Sequence, residues 1–159
     1  AQHIDPVSFG SNTGHVLPEM VKDVGAFGTL LNHAECPLSD AVLKESIEQA
    51  HAAGLFVVAC AEDVDRAEKI ASFDPDMIAV EPPELIGGDV SVSKADPSII
   101  EKSAKVVGAN KLLVGAGVKT KEDVQIGLSL GASGVLLASG VVKSDDPYGV
   151  LLDLVAGLA

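Results

Sequence analysis

The feature that most limits how this chain can fold is a series of short apolar runs, each bounded by glycine or Asp-Pro and separated by amphipathic stretches. The runs are residues 28–32 (GTLLN), 55–61 (LFVVACA), 76–81 (DMIAVE), 111–117 (KLLVGAG) and 134–140 (GVLLASG). Their hydrophobicity is nearly continuous instead of alternating, which predicts parallel strands covered on both faces. The stretches between them carry helix-start signals: Ser39-Asp40 before 40–53, Asp63 at 63–72, Asp96-Pro97 at 96–107, Thr120 at 120–130 and Asp146-Pro147 at 147–157. Thr120-Lys121-Glu122-Asp123 has the spacing of a capping box, and Gly54, Gly108 and Gly131 each close a helical run.

A strand–helix unit therefore recurs along the chain, echoed by the related phrases VGAFG (24–28) and LGASG (130–134). Repeated parallel units close into a barrel or spread into a doubly wound sheet. No GxGxxG follows an early strand, so dinucleotide binding has no direct support and the (β/α)8 barrel is the favoured architecture. The 159 residues, 47% hydrophobic and only 3% aromatic, form one domain, 1–159, with an aliphatic core.

A formal charge of −12 argues against nucleic acid or an anionic membrane as a partner, so any phosphate must be held by local donors. Cys36 and Cys60 have neither disulfide-framework nor metal-ligand spacing, and no apolar run approaches the ~20 residues of a membrane span. These features predict a cytoplasmic protein.

In a barrel the chemistry sits at the C-terminal ends of the strands. Those ends offer His3 and Asp5, Asn32-His33-Ala34-Glu35, Cys60, Glu81, Gly115-Ala116-Gly117 and Ala138-Ser139-Gly140. Glu81 ends the run IAVE, where partial burial would raise its pKa and suit it to act as a general base; a charge marking where a strand meets water is the plainer alternative. Pro82-Pro83 follow as a stiff hinge, then apolar Leu85 and Ile86 and the flexible Gly87-Gly88, the composition of a lid that excludes water. His33, at another strand end facing the same mouth, could polarise a carbonyl or simply bond within its loop. His3, His15 and His51 lack such a setting, and His51 falls on a solvated helix face. The glycine-containing turns 115–117 and 138–140 end the last two strands, where backbone N–H groups and a helix start commonly hold phosphate.

Together the blocks AQHID, GSNTGHVLPE, GTLLNHAE, AVEPPELIGG, VSVSKA, VGAGVKTKED and GVLLASGVVKSDDP resemble the triosephosphate isomerases, specifically their short archaeal branch. The resemblance implies interconversion of dihydroxyacetone phosphate and D-glyceraldehyde 3-phosphate, in glycolysis and gluconeogenesis, without metal or organic cofactor. It assigns Glu81 as the base, His33 as the electrophile and Pro82 and Pro83 as the hinge of a lid reaching to about Ser93. The phosphate would be bound by Gly87, Gly115, Ala116, Gly117, Ala138, Ser139 and Gly140. It also implies a homodimer or homotetramer, with residues 10–15 resembling a loop that reaches into a neighbouring subunit.

Two departures stand out: Ala34 replaces the usual Ser after the histidine, and Cys36-Pro37 stands where the family tends to have Arg. By the same resemblance the chain covers about six βα units, strands three to eight, so the family's Asn-x-Lys segment would lie upstream of Ala1. The expectation is that these 159 residues alone are inactive and prone to associate. The alternatives are another phosphate-binding barrel and a degenerate, non-catalytic module for ligand binding or assembly on the same scaffold.

Overall fold

The structure, a computed structural model, describes residues 1–88, 91–108 and 110–158. Five parallel strands lie side by side in sequence order: β1 (Gly28–Leu31), β2 (Phe56–Ala61), β3 (Met77–Val80), β4 (Leu112–Val114) and β5 (Gly134–Val135). Leu31 pairs with Ala59, Ala59 with Ile78, Ala79 with Leu113 and Val114 with Val135. Every crossover runs through a helix, the arrangement that parallel strands require. The result is a curved α/β sheet of the partial-barrel kind. The first of the six expected units, residues 1–5, is not a separate strand. Ala1 runs beside β1, its amino group donating to Gly28 O at 2.7 Å and its carbonyl accepting from Leu30 N at 3.0 Å.

The crossover helices are α2 (Asp40–Ala52), α3 (Val64–Ala71), α5 (Pro97–Val107) and α6 (Lys121–Ser129), while α8 (Pro147–Ala156) packs on α6 and on the short α7 (Ser139–Val142). Caps fix where they begin: Asp63 accepts from Arg66 N at 2.7 Å, Asp96 from Ser98 N at 3.1 Å and Asp146 from Gly149 N at 2.9 Å. Each such cap is worth about 1 kcal/mol. Two further short helices, α1 (Pro18–Asp23) and α4 (Val92–Ala95), have no counterpart in the expected pattern, being too short to show a helical period.

The core lies between the sheet and these helices. Leu43, Ile47 and Ala50 put one stripe of α2 on β1 and β2, in the same buried cluster as Leu31, Val57, Ala59, Ile78, Val80, Leu112 and Val114. Burial on the other face is less complete than the continuous hydrophobicity predicted: Leu30, Val58 and Leu113 are only half-buried, because five strands do not close around them. The last apolar run also differs from expectation. Residues 134–140 give two residues of strand and a final ladder bond from Leu136 N to Val114 O (2.9 Å), after which Ser139 opens α7.

Candidate active site

The strand ends meet around a cavity of about 530 Å³ whose lining includes Glu81, His33, Gly87, Ala116, Gly117, Ala138, Ser139 and Gly140. Residues named from four different strand ends thus share one space. Pro82 and Pro83, the expected hinge, follow Glu81 just past β3, and Pro83–Leu85 forms one 3₁₀ turn. The far part of the expected lid includes Asp89 and Val90, which lie outside the described residues.

Glu81 sits one residue past β3, its N–H donating to Ala61 O at 2.8 Å. The residue is 8% exposed, and Oε2 is buried with no hydrogen-bond partner among the described residues. Burial pushes its pKa up; hydrogen bonding from the Cys60 thiol and the nearby His33 pull it partly back. The same burial, reinforced by the Glu81 charge, pushes the Cys60 thiol well above its ordinary range. Space for the carboxylate comes from Gly115, where a Cβ would overlap Glu81 Oε1 and Cγ. Gly115 itself does not line the cavity, and its N–H is spent on Val80 O at 3.1 Å. It is therefore not a free donor for phosphate, and its contribution is the room it leaves.

His33 is placed by Asn32, a buried residue in the left-handed region (φ 58°). The Asn32 amide donates to Cys60 O and accepts from Leu38 N, both at 2.8 Å, locking the turn to β2 and to the loop beyond. The Glu35 N–H then donates to His33 Nδ1 at 3.2 Å. A ring nitrogen that accepts carries no proton, so the imidazole keeps its proton on Nε2. That nitrogen lies 3.8 Å from Glu81 Oε2, too far for a direct hydrogen bond and near enough for one small carbonyl compound to touch both.

At the other end of the cavity Ala116 (φ 68°) and Gly117 (φ 71°) take consecutive left-handed conformations, which turn backbone N–H groups toward one side. For Ala116 this geometry costs about 1–2 kcal/mol. The N–H groups of Ala116, Gly117, Ser139 and Gly140 have no acceptor among the described residues. Lys119 and Lys143 also line the cavity and supply local positive charge in an acidic chain. Spacing gave no sign of Lys143. His3, offered among the strand ends but set aside there with His15 and His51, lines the cavity as well, bonded through Nε2 to Asp5 at 3.3 Å. His51, expected on a solvated face, pairs with Asp76 at 3.0 Å at the opposite end of the sheet.

Ala34 and Glu81 line a second cavity of about 470 Å³ with Asn32, Cys60 and Arg66, so the departure from the usual Ser opens onto a space that Glu81 also lines. Among the described residues no group of three or more His, Cys, Asp or Glu is placed to hold a metal ion. No helix there is long and apolar enough to cross a membrane.

Comparison with known proteins points the same way. The family model described as triosephosphate isomerase matches residues 1–157. The chain is 49% identical to the triosephosphate isomerase of Methanoculleus marisnigri, with 98% of this chain and 72% of that protein covered. It is 46% identical to that of Methanopyrus kandleri, covering 99% and 72%, and 43% identical to that of Methanobacterium bryantii, covering 98% and 71%. A family match over nearly the whole length, carried on a parallel α/β sheet, establishes that the chain belongs to the triosephosphate isomerase family.

Proposed function

We propose that this cavity interconverts dihydroxyacetone phosphate and D-glyceraldehyde 3-phosphate, with Glu81 as the base and His33 as the electrophile. The observation that carries the assignment is the pair itself: a buried carboxylate oxygen with no hydrogen-bond partner among the described residues, 3.8 Å from an imidazole nitrogen that bears a proton. Glu81 removes the proton from the carbon next to the carbonyl, and the C–H electron pair moves to form an enediolate. His33 Nε2–H donates to the oxygen on which the negative charge develops. Glu81 then returns the proton to the neighbouring carbon while the hydroxyl proton passes from one oxygen to the other by way of the His33 imidazole, so the reaction balances with no net oxidation. A raised pKa makes Glu81 a stronger base than an exposed carboxylate.

The phosphate is held by the N–H groups of Ala116, Gly117, Ser139 and Gly140, which have no acceptor among the described residues, with Gly87 closing from the lid and Lys119 and Lys143 adding charge. Pro82-Pro83 serve as the hinge, and closure excludes water that would otherwise promote loss of phosphate from the enediolate. Homodimeric or homotetrameric assembly is part of this reading, supported by the exposed Phe9 (77%) in the 6–15 loop. A cytoplasmic location is supported by two unpaired cysteines.

The test is steady-state turnover of D-glyceraldehyde 3-phosphate by the wild type, Glu81→Gln and His33→Gln. Losses on the order of 10³-fold or more in kcat for Glu81→Gln and at least 10²-fold for His33→Gln are expected. Near-normal turnover by either variant would overturn its assignment. A parallel assay of the 159 residues alone examines the expectation that they are inactive by themselves; turnover that depends on Glu81 would refute it.

A further inference from the structure

Asp123 occupies the third position of α6, where the capping box accounts for one of its two oxygens. Oδ2 accepts from Thr120 N, Thr120 Oγ1 and Lys119 N, each at 3.1 Å. The other oxygen faces away from the helix and serves a different segment. Oδ1 accepts from Ser91 Oγ at 2.8 Å and from Lys94 Nζ at 2.7 Å. Ser93 Oγ bonds Ser91 Oγ at 3.0 Å and donates to the Asp123 carbonyl at 3.4 Å. Val92 N donates to Ala116 O at 3.2 Å, and Val92 is fully buried.

Helix capping does not require this arrangement. A capping carboxylate works at an exposed helix end, yet Asp123 is only 3% exposed. Burying a charge is costly unless it is paired and its lone pairs are filled, and the donors that fill Oδ1 come from 29 and 32 residues away. The residues joined are those downstream of the lid glycines, Ser91–Ala95, and the loop 116–120 that presents the phosphate-facing N–H groups. The pairing also commits Lys94 to Asp123 and neutralises a carboxylate close to an anion site.

Resting on the isomerase reading above, we propose that Asp123 is a positioning residue that ties the segment Ser91–Ala95 to the phosphate loop 116–120, so that the two segments hold the phosphate site as one unit. Asp123 touches no substrate. It acts by keeping the segment Ser91–Ala95 in register with Ala116 and Gly117.

The experiment compares Asp123→Asn, the double variant Ser91→Ala/Lys94→Met and Thr120→Ala in the whole protein. Each is assayed with D-glyceraldehyde 3-phosphate and with unphosphorylated glyceraldehyde, which gains nothing from a phosphate grip. Asp123→Asn and the double variant are expected to lose about tenfold or more in kcat/KM for the phosphorylated triose, chiefly through KM, while glyceraldehyde stays within about twofold. Thr120→Ala, which loses the capping hydroxyl but leaves Ser91 and Lys94 their partner, should stay within about twofold on both. Equal losses on both substrates, a wild-type ratio in the double variant, or the same split in Thr120→Ala would overturn the proposal.

Hydrogen exchange gives a second readout that does not depend on turnover. Inorganic phosphate should protect 91–95 and 116–120 together in the wild type and only 116–120 in the double variant. Independent protection of the two segments in the wild type would also overturn the coupling. A wild type that isomerises neither triose would instead refute the isomerase reading, and the exchange result would then decide the coupling.

Discussion

Replacing Gly115 with alanine tests whether the placement of Glu81 depends on an absent side chain. A Cβ built on Gly115 would lie 2.5 Å from Glu81 Cδ. Non-bonded carbons settle at roughly 3.5–4.0 Å, so the carboxylate must retreat by about 1 Å. The backbone of Gly115 is not in the left-handed region, so alanine can adopt it and the crowding is the whole perturbation. A misplacement of about 1 Å at a reacting group costs on the order of 10²-fold in rate, or about 2.7 kcal/mol of barrier. Overpacking adds roughly 1–3 kcal/mol of lost stability.

The assay is kcat and KM with D-glyceraldehyde 3-phosphate together with urea unfolding of Gly115→Ala, Glu81→Ala and the double variant. The expected signature is a fall in kcat with a smaller change in KM, because the N–H groups that face the phosphate are untouched. The stability penalty of Gly115→Ala should shrink to less than about 0.5 kcal/mol when Glu81 is already alanine, since nothing is left to collide with. A wild-type kcat, or an undiminished penalty in the Glu81→Ala background, would refute the argument.

Three further outcomes follow from the same geometry. Burial raises the Glu81 pKa above the ordinary 4.5, so the folded state binds this proton more tightly than the unfolded state does. That contribution is complete below the unfolded pKa and is lost as pH rises through the folded one, so Glu81→Gln should exceed the wild type in unfolding free energy at pH 8 and match it near pH 4; an advantage largest at low pH would contradict the sign. Asn32→Ala should cost about 3 kcal/mol, from two buried hydrogen bonds and an alanine forced to a left-handed φ, while Asn32→Gly, which tolerates that φ, should recover about 1 kcal/mol; equal losses would show that backbone geometry plays no part. Cys36 is exposed and Cys60 is buried with its thiol held protonated, so a thiol-specific colorimetric reagent should titrate one group in the native protein and two in denaturant; rapid native labelling of Cys60 would mean that the Glu81 side of the site opens readily.

Local pattern was enough to locate the strands and most of the cavity, because a parallel sheet marks itself by apolar runs and puts its working residues where they stop. Glu81 and His33 could be picked out in this way, each ending a run. Where strands stop depends on partners, however, and that information is not local. The run 134–140 reads as one strand, yet past Val114 the neighbouring chain turns away at Ala116, so Leu137 has no ladder to join and α7 begins two residues later. Asp123 was legible as a capping residue from its spacing to Thr120, but its bonds to Ser91 and Lys94 depend on tertiary approach. Gly115 looked like one more phosphate-loop glycine, and only the packing of Glu81 against it reveals what it does.

The bond from Glu35 N–H to His33 Nδ1 carries a consequence for how this site can vary. The donor that dictates which nitrogen of the imidazole keeps its proton belongs to the main chain and not to any side chain. Nineteen of the twenty amino acids could stand at position 35 and still supply it; proline alone could not, having no N–H to give. The choice of which nitrogen keeps the proton is therefore insulated from ordinary sequence drift at its neighbour, although the Glu35 carboxylate, 3.6 Å from Nδ1, adds a charge that drift could remove. That choice is exposed to a single kind of change, proline at position 35, which would take away the main-chain donor together with the Glu35 side chain that also lines the cavity.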